Sequence, residues 1–143
     1  MKVFVSGCFD LLHSGHVKFL QEAAKLGDLY VSVGSDQTVL ELKHKKTICP
    51  ENERLYMVRA LRCVKEAFIG SGSGYLDFVP ELERVKPDIF VVNSDGHSAD
   101  KERCMADHHI RYIVLERIPE TGLPTRSTTG FRQILNIKNE VSG

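Results

Sequence analysis

The sequence predicts an α/β fold: a single doubly wound domain, a five-stranded parallel sheet with helices on both faces. Three observations predict it. Short apolar runs alternate with stretches of helical period along the chain. Two of those runs, residues 29–34 and 89–92, carry no charge, as strands covered on both faces require. With 143 residues there is enough chain for one core and too little for a second, so one domain is expected over residues 1–143.

Each element has a local reason. Residues 2–6 read as the first strand, and residues 14–26 as a helix stopped by Gly27, which suits the left-handed position after a helix. A second strand covers 29–34. A short helix over 36–42, capped near Ser35 or Asp36, runs into the basic loop Lys43-His44-Lys45-Lys46-Thr47. Leu55, Val58 and Leu61 make one apolar stripe of a helix over 51–64. A third strand is expected at 67–69, a Gly/Ser loop at 70–74 and a helix at 76–85. The fourth strand is 89–92, followed by a helix at 99–108 and a fifth strand at 110–115. Pro119 and Pro124 mark a loop before a last helix over 128–137, and residues 138–143 read as a frayed tail.

Composition excludes several classes of function. Lysine plus arginine equals aspartate plus glutamate at 19 each, so no global basic field serves nonspecific nucleic-acid binding. No apolar run approaches the ~20 residues of a membrane span, and the N-terminus leads into a strand without a signal-peptide core. Cys8, Cys49, Cys63 and Cys104 form no C-x-x-C pair and read as reduced thiols. A cytoplasmic protein with no nucleic-acid or membrane partner is expected.

The densest chemical signal is Gly7-Cys8-Phe9-Asp10-Leu11-Leu12-His13-Ser14-Gly15-His16, between the first strand and the first helix. Histidines three apart at a first helical turn share a face with that helix's unpaired N–H groups. A glycine at a strand end lets the backbone approach a ligand closely. Together they suit a polyphosphate whose charge is being redistributed. As Gly-x-Phe-Asp-x-x-His-x-Gly-His, the segment resembles the signature of the cytidylyltransferase-like nucleotidyltransferases, a superfamily related to the His-x-Gly-His aminoacyl-tRNA synthetases.

The resemblance implies a Rossmann-like domain and a defined reaction. A substrate phosphate oxygen attacks the α-phosphorus of a nucleoside triphosphate and pyrophosphate leaves. That phosphate is already ionised at pH 7, so the protein positions the reactants and stabilises charge. By resemblance, His13 and His16 donate to phosphate oxygens, and Gly7, Cys8 and Phe9 line the nucleotide. Ser14 and Gly15 add backbone donors at the helix start, and Asp10 orients the turn on the substrate side. Lys43 and Lys45 resemble the lysines of glycerol-3-phosphate cytidylyltransferases that contact nucleotide and acceptor phosphate, from a loop mobile enough to close. Arg54, in Pro50-x-x-Glu53-Arg54, matches a family position and is expected at the substrate. Asp95 fits the family's Gly-x-Asp turn near the base or ribose, with Asn93 standing where the glycine is usual. Ser127, Thr128 and Thr129 match a hydroxyl-rich segment at a helix start that holds the β- and γ-phosphates. Arg126 takes the part of the accompanying arginine, with Arg117 as the alternative.

Two patterns are set aside. Gly70-Ser71-Gly72-Ser73-Gly74 imitates a dinucleotide fingerprint but has Tyr75 at the third glycine's place and follows the third strand. Cys104, His108 and His109 lack a second ligand cluster and suit a helix end better than a metal.

Three subfamilies resemble the chain. Gly7-Cys8-Phe9-Asp10, His16-Val17, Leu26-Gly27-Asp28 and Pro50-x-x-Glu53-Arg54 resemble heptose-1-phosphate adenylyltransferase domains. The lysine loop resembles glycerol-3-phosphate cytidylyltransferases, and archaeal-type FAD synthases share the core. The expected enzyme transfers an NMP group to a phosphorylated small molecule such as a sugar phosphate, with ATP favoured over CTP. Mg²⁺ is expected on the triphosphate, with no protein metal site, and a homodimer is expected by resemblance. The contrasting class is a catalytically silent nucleotide-binding regulatory domain, against which stand His13, His16 and Ser127-Thr128-Thr129.

Overall fold

The computed structural model describes residues 1–135. Along the chain run β1 (Lys2–Gly7), α1 (Ser14–Ala24), β2 (Asp28–Val33), α2 (Asp36–Lys43), α3 (Glu51–Arg59) and β3 (Val64–Ile69). Then come α4 (Val79–Val85), β4 (Ile89–Asn93), α5 (Ala99–Asp107), β5 (Arg111–Leu115) and α6 (Thr128–Ile134), with 3-10 turns at Gly74–Leu76 and Ser94–Gly96. The strands pair in parallel in the order β3-β2-β1-β4-β5. This is the doubly wound α/β arrangement, in which the chain reverses its direction of travel between β1 and β4. Ligands of such sheets collect there, at the carboxyl ends of the strands.

Strand alternation builds two cores. Val3 and Val5 of β1 face one side of the sheet and Phe4 the other, and all three are closed to solvent. Leu29, Val31, Ile89 and Val91 extend the first side, where Leu20 and Ala23 of α1 and Leu55 and Val58 of α3 cover them. Tyr30, Phe90 and Val92 extend the second, under Leu82 and Val85 of α4 and Cys104 and Met105 of α5. Each such aliphatic or aromatic burial is worth on the order of 1.5–3 kcal/mol.

Three boundaries differ from the sequence expectation by three residues or more. α3 ends at Arg59, and β3 begins at Val64 rather than 67. Leu61 still packs against the core from the turn that follows, so its spacing of three from Val58 mimics a further helical turn. The segment at 76–85 divides into a 3-10 turn and α4, because Pro80 is tolerated only in a first helical turn. α6 is described as far as Ile134; the remainder of the expected helix to 137 falls largely outside the described residues, and the expected tail at 138–143 wholly so.

Candidate active site

At the carboxyl ends of β1 and β4 lies a cleft of about 310 Å³. Its wall contains Gly7, Cys8, Phe9, Asp10, His13, Gly15, His16, Lys43, Lys45, Lys46, Asp95, Lys101, Arg117, Thr128, Thr129 and Arg132. Six of these side chains are cationic and two are carboxylates, in a chain of zero formal net charge. The positive charge absent from the whole is concentrated here, which suits an anionic ligand.

The β1–α1 turn shows why its residues have their spacing. His13 is the N-cap of α1, and its Nδ1 accepts from the Gly15 N–H at 3.1 Å and the His16 N–H at 3.4 Å. His16 reciprocates, its Nδ1 accepting from the His13 N–H at 3.2 Å, and the two rings stack with centroids 3.7 Å apart. A Cβ at Gly15 would lie 2.9 Å from His13 Cε1, so only glycine fits between the histidines. A Cβ at Gly7 would lie 2.8 Å from the Phe9 ring, which packs edge-on to His16 from a backbone with φ of 54°. The imidazoles thus serve the helix start themselves, as a capping box normally made by a hydroxyl and a carboxylate.

That hydrogen bonding fixes the protonation. A ring nitrogen that accepts from an N–H carries no proton, so each neutral imidazole bears its proton on Nε2. Burial lowers the pKa of His13 to about 4, helped by Arg117 and Arg126. Burial lowers that of His16 to about 3, helped by His13, Arg117 and Lys43. Both are neutral donors at pH 7. Nε2 of His13 is buried without a hydrogen-bond partner among the described residues, the condition of a donor awaiting a ligand oxygen.

The lysine loop is tied to its surroundings by hydrogen bonds at several points. His44 ends α2 with φ of 54°, turning the chain across the cleft. Asp10 then takes the Ile48 and Cys49 N–H groups at 2.7 and 2.9 Å, and Arg132 donates to the Lys46 carbonyl at 2.7 Å. Thr47 Oγ1 donates to Asp36 Oδ1 at 3.1 Å. Lys43, Lys45 and Lys46 project from this clamped segment into the cleft. Asp10 therefore orients the turn and the loop together, as a structural carboxylate.

Arg54 corrects the sequence reading. It is fully buried, with Nε on the Cys49 carbonyl at 3.0 Å, Nη1 on the Cys8 and Gly34 carbonyls at 2.8 and 2.7 Å, and Nη2 on Asp36 at 2.7 Å. Its donors tie the β1 turn to the β2 end behind the cleft wall, and it does not reach the cleft. Arg126, too, lies aside: of the two arginines between β5 and α6, it is Arg117 that lines the main cleft, held by Asp95 at 2.5 Å and by the Arg126 carbonyl. Arg126 stands over the Phe131 ring at 5.3 Å and borders two side clefts.

The distant segments converge. Thr128 Oγ1 donates to the Asp10 carbonyl at 2.7 Å, which brings α6 against the histidine turn, and Thr128 and Thr129 line the cleft. Ser127 caps α6, accepting from the Gly130 N–H at 2.9 Å, and Ser14 is outside the cleft wall. Asn93 replaces the family's glycine without strain: its φ is −85°, and its side chain accepts from the Gly96 N–H at 2.8 Å. The turn so formed presents Asp95. Sequence reasoning missed Lys101 and Arg132. Arg132 lies four residues after Thr128, on the same helical face, a spacing that could have disclosed it. Lys101 gave no local signal.

A second cleft of about 320 Å³ shares Gly15, Phe19, Asn93 and Arg117 with the first and continues past Leu115, Ile118 and Pro119. Among the described residues no helix is long and apolar enough to cross a membrane.

A family model described as cytidylyltransferase-like matches residues 4–134. An FAD synthase of Methanocella paludicola is 47% identical over 98 residues, 67% of this chain and 66% of that protein, so the match spans about two thirds of the relative's length. An FAD synthase of Methanocella arvoryzae is 33% identical over 136 residues, covering 92% of this chain and 93% of that one. The solved structure of a lipopolysaccharide core biosynthesis protein from Thermoplasma volcanium aligns with a TM-score of 0.69 at 30% identity, over 84% of this chain and 98% of that chain. The chain belongs to the cytidylyltransferase-like family of nucleotidyltransferases.

Proposed function

We propose that the protein transfers the adenylyl group of ATP to the phosphate of FMN, forming FAD and pyrophosphate. The stacked, neutral His13–His16 pair carries this reading. It offers fixed N–H donors beside a strongly cationic cleft, and no carboxylate there is placed to activate water: Asp10 and Asp95 are engaged by backbone N–H groups and by Arg117. The similarity to proteins named FAD synthase favours a flavin acceptor, and with it ATP as the adenylyl donor.

In this mechanism an FMN phosphate oxygen bonds to the α-phosphorus of ATP and the bond to the β-phosphate oxygen breaks. His13 and His16 donate from Nε2 to oxygens that gain charge, and they need lose no proton to do so. Thr128, Thr129, Lys45 and Arg117 receive the departing pyrophosphate. The second, more apolar cleft takes the adenine. Donor groups dominate the cleft, which fits Mg²⁺ carried on the triphosphate; when bound, it supplies charge neutralisation at the phosphates. A single domain, a homodimer and a cytoplasmic location complete the reading.

A sugar phosphate is the second acceptor class, favoured by the similarity to the lipopolysaccharide core biosynthesis protein. The test supplies Mg²⁺ and ATP or CTP with FMN, heptose 1-phosphate or glycerol 3-phosphate, and follows pyrophosphate and FAD. FAD and pyrophosphate formed in equal amounts from ATP and FMN are expected. Orthophosphate release without pyrophosphate, or no turnover with any pair, overturns the reading.

A further inference from the structure

Lys101 stands at the first turn of α5, on the face of the sheet opposite α1, yet it lines the same cleft as the histidines. Its ammonium is half-buried, which lowers its pKa, and its contacts leave it poorly compensated. One hydrogen bond runs to the Gly96 carbonyl at 2.9 Å, and no carboxylate among the described residues lies within ion-pair distance. The Asp77 carboxylate acts on it only from farther away. An ammonium withdrawn from water and held by one neutral carbonyl retains donors for an anion.

Geometry says which anion. Displacement at the α-phosphorus requires attacking and leaving oxygens on opposite sides of it. In the mechanism above, pyrophosphate leaves toward Thr128 and Thr129, whose helix is held against the histidine turn by the Thr128 hydroxyl on the Asp10 carbonyl. The attacking group must therefore approach from the opposite side of the strand ends, where α5, packed on the face of the sheet away from α1, carries Lys101. We propose that Lys101 binds the phosphate of the acceptor, closing with Lys43 a two-sided ammonium clamp on an incoming phosphate monoester. Asn93 aids it indirectly, since its cap on the Gly96 turn sets the carbonyl that holds the Lys101 ammonium in place.

This inference rests on the adenylyl-transfer reading, and the test separates the two. Lys101→Met keeps the apolar stem and removes the charge; Lys101→Gln is the second variant, and circular dichroism checks folding of both. With FMN as acceptor, each variant is expected to raise the acceptor KM about tenfold or more, the scale of a lost charge-assisted hydrogen bond, while ATP affinity stays within about twofold. Inorganic phosphate titrated into protein saturated with α,β-methylene ATP is expected to bind the wild type and to lose affinity in parallel in both variants. If the wild type makes no FAD but loses phosphate binding on substitution, the flavin reading fails and the Lys101 assignment stands. Unchanged phosphate affinity and acceptor KM in the folded variants overturn it, as does a loss of ATP affinity equal to the loss for acceptor.

Discussion

The start of α1 and the end of α5 both carry histidines, and the two places give imidazole opposite chemistry. At the α1 start, backbone N–H groups seek acceptors, so His13 and His16 present bare Nδ1 atoms and stay neutral, with pKa values lowered to about 4 and about 3. At the α5 end, carbonyls seek donors. His108 Nδ1 lies 2.8 Å from the Cys104 carbonyl and Nε2 lies 3.5 Å from Glu83, and its pKa is raised, first by that carbonyl. The comparison teaches that a histidine's role follows from the helix end it serves and from its burial, more than from its neighbours in sequence.

The largest effect that could break this comparison is kinetic. His13→Ala or His16→Ala is expected to lower kcat by about 10²-fold or more, the cost of one lost transition-state donor, with a smaller change in ATP affinity. His108→Ala is expected to leave kcat within about twofold, as for an ordinary surface substitution. Steady-state rates for the three variants check it. Full turnover in His13→Ala would reduce the histidine pair to a helix cap.

An intermediate effect concerns the held loop. Lys43→Ala with Lys45→Ala is expected to raise the acceptor KM and lower kcat by roughly tenfold each, because two anionic reactants then meet with less compensation. Initial rates with each substrate varied in turn decide this. Unchanged rates would return both lysines to solvated surface charge.

The smallest effect is on stability against pH, and its sign differs between the two places. The folded pKa values of His13 and His16 lie below the unfolded value of 6.5. Between 6.5 and about 4 the unfolded chain binds more protons, so their contribution is complete above 6.5 and is lost as pH falls. His108 is shifted upward, so its contribution is present below 6.5 and is lost as pH rises through its folded pKa. Melting temperatures from pH 8 to pH 4 for wild type, His16→Ala and His108→Ala should show opposite changes of slope in the two variants.

Much of this was legible in the sequence where the signal is local. The β1 turn, its glycines and its histidines sit within ten residues, and each constrains the next through contact. The parallel sheet followed from uncharged runs at 29–34 and 89–92. Arg54 was misplaced because residue type does not say whether a guanidinium turns inward; only the meeting of Cys8, Gly34 and Cys49 carbonyls around it does. Arg117 and Arg126 could not be told apart for the same reason, since the loop between β5 and α6 folds back on itself. Lys101 was invisible because the strand order, not the sequence neighbourhood, carries it to the cleft.

¹⁵N NMR of imidazole-labelled protein tests the protonation of the histidine pair most directly. His13 and His16 are predicted to show the neutral form with the proton on Nε2 from pH 8 to pH 5, while His108 titrates above 6.5. Titration of His13 or His16 near 6.5, or a proton on Nδ1, would contradict it.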